Sequence, residues 1–104
     1  MIEAKDNLIY LTRENQINKV LRDQKKNKSS IRILYLSEWD ETSHSLNIRL
    51  GKYEGQTMFV VDSFNMPHSF VIFRVNKTPT LVSISPTKIE VESYTPRIYK
   101  ELGL

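Results

Sequence analysis

Between positions 37 and 44 the chain reads Ser37-Glu38-Trp39-Asp40-Glu41-Thr42-Ser43-His44, which brings carboxylates, hydroxyls and an imidazole into one short stretch. Asp40, Ser43 and His44 are the residue types of a hydrolase triad, in which an imidazole takes the proton of a serine and a carboxylate orients the imidazole. The spacing argues against it. Neighbouring helical positions such as Ser43 and His44 point away from each other, and no separate glycine-rich oxyanion turn accompanies them. Asp40 and His44, at i and i+4, share a helix face and could clasp a metal together with Glu41. A cap and solvated side chains explain the same residues more simply. Aspartate accepts hydrogen bonds from the free amides of a first turn and outperforms alanine there by about 0.5–2 kcal/mol. Asp40 therefore needs no catalysis, metal or cofactor to account for it. His68, beside Pro67, reads as a surface residue rather than a ligand.

Two other kinds of chemistry are bounded by composition. There is no cysteine in the 104 residues, so no thiolate is available as nucleophile or redox centre. Fifteen Lys and Arg against twelve Asp and Glu leave a net charge of +3, a mild excess. Its densest part is Arg22, Lys25, Lys26 and Lys28, set among Gln24, Asn27, Ser29 and Ser30. No aromatic residue is interleaved there, as a nucleic-acid surface would ordinarily require. The stretch reads as a solvated loop, with weak polyanion binding as the alternative.

Several elements must position these residues. Leu8-Ile9-Tyr10-Leu11 is a short apolar run and predicts a strand, after which Thr12 can cap a helix carrying Ile17, Val20, Leu21 and Gln24 on one stripe. Ile31 to Trp39 is nearly continuous in apolar residues, which suits a central, parallel strand buried on both faces. Asp40 to Tyr53 predicts a helix with Leu46, Leu50 and Tyr53 on its inner stripe, weakened near Gly51 and Gly55. Met58 to Val61 is a strand, and Pro67 opens a short helix with Phe70 and Phe73. Leu81–Ile84 and Ile89–Tyr94 form a hairpin around Ser85-Pro86-Thr87-Lys88. Thr95 then caps a last helix that has Pro96 at its first position and carries Ile98, Tyr99 and Leu102.

The order predicts one α/β domain over residues 1–104. Its mixed sheet has about five strands, parallel early and antiparallel in the late hairpin, and is flanked by about four helices. At 39% hydrophobic and 26% charged residues such a chain is an ordinary globular one. No apolar run approaches the roughly 20 residues of a membrane span, and Met1 to Asp6 lack the pattern of a signal peptide. The expected setting is cytoplasmic.

Three stretches, in order, resemble the thioredoxin family. Glu38-Trp39-Asp40-Glu41-Thr42-Ser43-His44 is similar to the active-site stretch Glu-Trp-Cys-Gly-Pro-Cys-Lys, with both cysteines replaced. Val61-Asp62, Pro67, Phe73 and Val75 resemble the third strand and following helix of that family, and Lys77-Thr78-Pro79-Thr80-Leu81 resembles its proline segment. From Val61 to Thr80 the spacing matches without a gap, and the resemblance covers nearly the whole chain.

The resemblance implies a thioredoxin-like three-layer fold. Asp40 and Ser43 then stand where the redox cysteines would be, and Leu34 stands where many thioredoxins keep a buried acid that moves protons. Pro79 is expected to be cis and to face the start of the Asp40 helix. Thr78 is expected to offer backbone groups to an extended peptide, and Ser93-Tyr94 falls near the third loop of the groove. The function expected on this basis is a redox-inactive module that binds a protein or extended peptide through Trp39, Thr78, Pro79 and Tyr94, beside a former active site at Trp39–His44. The alternative is an enzyme that uses Asp40, Glu41 or His44 without thiols, perhaps assisted by a metal.

Overall fold

The computed structural model describes residues 7–37, 39–62, 66 and 69–104; Met1–Asp6, Glu38, Pro67 and His68, about which the sequence carried expectations, lie outside them. The strands are β1 (Leu8–Leu11), β2 (Ile31–Leu36), β3 (Met58–Asp62), β4 (Thr80–Ile84) and β5 (Ile89–Glu92). The helices are α1 (Glu14–Asn27), α2 (Glu41–Arg49), α3 (Ser69–Ile72) and α4 (Thr95–Leu102). The sheet order is β1-β3-β2-β4-β5.

β3 runs parallel to both β1 and β2, while β4 is antiparallel to β2 and to β5. The expectation for β2 is thus half corrected. It is central and buried, but parallel on one side only. A continuous apolar run reports that both faces of a strand are covered and says nothing of its neighbours' direction.

Alternation along β2 divides the core between two layers. Ile31, Ile33 and Tyr35 join Leu11, Ile17, Val61, Val82 and Ile84 on the face covered by α1 and α3. Leu34 and Leu36 join Leu46, Leu50, Tyr53, Ile98 and Leu102 on the face covered by α2 and α4. The first layer is the less completely closed: Val20, Leu21, Phe59, Phe70 and Phe73 pack against it only partly buried. Within it the Phe70 ring meets Tyr35 edge-on, with centroids 4.8 Å apart. The Tyr35 hydroxyl donates to the Ser69 carbonyl at 3.3 Å. Burial, reinforced by the negative charge of Glu14, pushes the Tyr35 phenol well above its ordinary pKa. In the second layer the Arg49 guanidinium lies 5.2 Å from the centre of the Tyr99 ring, a cation–π contact between α2 and α4.

Four local expectations change. Arg13, not Thr12, holds the cap position of α1. The Gln16 side chain reaches back instead, its Oε1 accepting from the Thr12 and Arg13 amides at 2.8 Å each. The basic stretch is not a loop. Residues 22–27 form the last turns of α1, and Lys28 ends it in the left-handed region at φ 52°. Lysine, arginine and glutamine are good helix formers, and cations near a helix C-terminus oppose its negative end. The helix expected from Asp40 to Tyr53 stops at Arg49 and tightens into a 3-10 turn over Leu50–Lys52. At α4, Tyr94 occupies the cap position and Pro96 the second helical one, where its missing amide is still one that no helical carbonyl would have accepted.

Candidate functional site

The residues singled out by the sequence gather at the carboxyl end of β2, the start of α2 and the loop entering β4. Asp40 is the cap of α2, with extended backbone (φ −105°, ψ 119°), and its carboxylate is fully engaged. Oδ1 accepts from the Thr42 amide at 3.1 Å. Oδ2 accepts from the Ser43 hydroxyl at 3.0 Å and from the Thr78 hydroxyl at 3.1 Å. One carboxylate thus closes the first turn of α2 and fastens it to a loop 38 positions away.

Ser43 is buried and donates to Asp40, whereas His44 is exposed. The structure therefore joins two of the three triad-type residues and leaves the imidazole out, as helical geometry requires of adjacent positions. Glu41 and Thr42 are exposed on the first turn. Among the described residues no three His, Cys, Asp or Glu side chains are grouped to hold a metal ion. Beside the site a cleft of about 370 Å³ is lined by Tyr10, Ser37, Ser43, His44, Asn47 and Asp62, and the Tyr10 hydroxyl donates across it to Asn47 Oδ1 at 2.8 Å.

The loop that carries Thr78 is equally constrained. The Thr78–Pro79 peptide bond is cis, and Pro79 is buried. Thr80 donates to the Lys77 carbonyl at 2.7 Å and shares a 2.9 Å hydrogen bond with Ser93, which couples this loop to the one between β5 and α4. The Tyr94 amide there is held by Glu92 Oε2 at 3.0 Å. Around these fixed loops the aromatic residues stand out into solvent, Trp39 being 79% exposed and Tyr94 63%. Neither backbone group of Thr78 is hydrogen-bonded to another described residue. Leu34 is fully buried among apolar neighbours, so its place in the core carries no proton-transferring group.

Two links escaped the sequence, Thr78 to Asp40 and Thr80 to Ser93. Each depends on strand order, which brings distant loops together. The only sequence signal was a run of hydroxyl-bearing residues on both sides of Pro79.

No family model matches the sequence, and no curated protein does. Solved structures match over nearly the whole chain at low identity. Thioredoxin O2 of Arabidopsis thaliana in its oxidised state is 14% identical, with 97% of this chain and 96% of that one covered and a TM-score of 0.74. The reduced thioredoxin pre-protein of Schistosoma mansoni is 12% identical, with 94% and 97% covered and a TM-score of 0.72. A Nicotiana alata thioredoxin is 15% identical, with 95% and 92% covered and the same TM-score. With its five-stranded mixed sheet and four flanking helices, the chain has the thioredoxin fold, on a sequence without a single cysteine.

Proposed function

We propose that this chain is a redox-inactive thioredoxin-fold module that binds a protein or extended peptide across Trp39, Thr78 and Tyr94. Pro79, being buried, shapes that surface from beneath. The observation that carries the reading is the contrast between fixed loops and free aromatics. Asp40 and Ser93 hold the loops in place, while Trp39 and Tyr94 expose large rigid side chains of the kind that anchor interfaces. The backbone of Thr78, unpaired among the described residues, suits pairing with an extended segment. Asp40 spends its carboxylate on structure, and that weighs against the thiol-free enzyme. The cations from Arg22 to Lys28 extend from helix turns into solvent, and no further feature marks them as a polyanion site. A cytoplasmic setting belongs to the same reading, since cysteine is dispensable where thiols stay reduced.

The test is selection from a library of extended peptides, followed by calorimetric titration of the selected ligand, a readout that survives the loss of Trp39, the chain's only tryptophan. Trp39→Ala and Tyr94→Ala should each weaken binding by about tenfold or more. Wild-type affinity in both variants, or a Trp39 that acrylamide cannot quench, would move the partner surface elsewhere. The same preparation should reduce insulin no faster than buffer containing dithiothreitol.

A further inference from the structure

At the end of the sheet order β5 is an edge strand, paired among the described residues with β4 alone. Ile89 is 56% exposed and Val91 51%, although their cross-strand partners Ile84 and Val82 are buried in the layer under α1 and α3. The hairpin fixes which backbone groups face outward. The Ser85 amide donates to the Lys88 carbonyl at 2.9 Å, so Ser85 and Lys88 form a hydrogen-bonded pair. Alternation along an antiparallel ladder then turns the backbone of Lys88, Glu90 and Glu92 toward β4 and that of Ile89 and Val91 away from it. The outward-facing positions are therefore the two apolar ones.

We propose that β5 pairs antiparallel with β5 of a second copy of this chain, with the two-fold axis through Glu90. Charges on an edge strand ordinarily discourage such pairing, but this register turns most of them to advantage. Residues opposite each other must share a face, and centring on Glu90 sets Ile89 against the partner copy's Val91, twice. These are the residues whose amides and carbonyls point outward, so side-chain contact and hydrogen bonding coincide. On the opposite face Lys88 falls across from Glu92 of the other copy, also twice, against a single Glu90–Glu90 encounter. Each Glu90 already has Lys88 at 2.6 Å in its own chain, and each Glu92 has Arg97 at 3.6 Å. That face thus joins with equal numbers of the named cations and carboxylates. Centring on Val91 instead would oppose Glu90 to Glu92 on both sides and gain no such pair.

A four-residue edge buries less than a standard interface, so the dimer should be weak and concentration-dependent. Sedimentation equilibrium from about 10 µM to about 1 mM, the range in which weak association is read, should show mass rising from 12.2 kDa toward twice that value. Lys88→Glu, which places carboxylates across from each other at two positions, should weaken association by about tenfold. Adding Glu92→Lys to it should restore the wild-type constant, and Val91→Lys should abolish association. Circular dichroism would verify that each variant is folded. A wild type that stays monomeric throughout overturns the proposal, as does a dimer indifferent to Val91→Lys or one that the charge-swapped double variant fails to restore.

Discussion

Helices α1 and α2 begin in the same difficulty and resolve it differently. Each is preceded by an extended residue, Arg13 (φ −133°, ψ 144°) and Asp40 (φ −105°, ψ 119°), and each leaves first-turn amides without a helical acceptor. At α1 the arrangement is local: Gln16 Oε1 accepts from the Thr12 and Arg13 amides just before the helix and, at 3.4 Å, from the Thr12 hydroxyl, all within four residues. At α2 the capping carboxylate serves one amide, one buried hydroxyl and one hydroxyl from the loop entering β4. A local cap stabilises a helix, whereas the Asp40 arrangement also fixes where two loops stand relative to each other. Here the start of α2 is a structural joint beneath two exposed aromatics.

The largest effect is expected at Asp40. Asp40→Ala removes the cap and strands the Ser43 and Thr78 hydroxyls, so it should cost about 2–3 kcal/mol in urea unfolding. A cost no larger than that of a simple exposed cap would mean that the bond to Thr78 contributes nothing.

A smaller effect is expected at the start of α3, which is held by a side chain from another element. Tyr35→Phe loses the buried hydrogen bond to Ser69 and should cost about 1 kcal/mol near neutral pH. The pH dependence has a definite sign. Because the folded pKa of Tyr35 is raised, the native state keeps a proton that the unfolded chain surrenders once pH passes the ordinary tyrosine value near about 10. Stability from this group is intact below that value and lost as pH rises above it. The wild-type lead over Tyr35→Phe should therefore shrink and then reverse above about pH 10, as read by denaturant unfolding across that range. A lead that grows in alkali would contradict the burial argument.

The smallest effect belongs to α1. Gln16→Ala should cost about 0.5–1 kcal/mol, the scale of a local capping interaction, with no change in Trp39 fluorescence. A cost equal to that of Asp40→Ala would erase the distinction between a local cap and a joint.

What was legible in the sequence follows the range of the interactions. The stripe of Leu46, Leu50 and Tyr53, the nearly continuous apolar run of β2 and the turn between β4 and β5 are local patterns, and each stands in the structure. Asp40 was legible as a cap because capping needs only the next two or three residues. Its bond to Thr78 was not, since nothing local orders β4 beside β2. Thr12 was misread as a cap because a threonine one position early carries the right hydroxyl, while Gln16 acts on the backbone of both Thr12 and Arg13. The exposure of Ile89 and Val91 also escaped. Ile-Glu-Val-Glu announces one apolar face, but nothing local says whether another element covers it.

Asp40 couples the start of α2 to the loop of Thr78 through the 3.1 Å bond from the Thr78 hydroxyl. A double-mutant cycle with Asp40→Ala and Thr78→Val tests it most directly, because subtracting the single variants removes the capping contribution that Asp40 makes by itself. A coupling of about 0.5–1.5 kcal/mol is expected, the net scale of one typical hydrogen bond. Losses that add to within about 0.3 kcal/mol, as independent sites do, would contradict it.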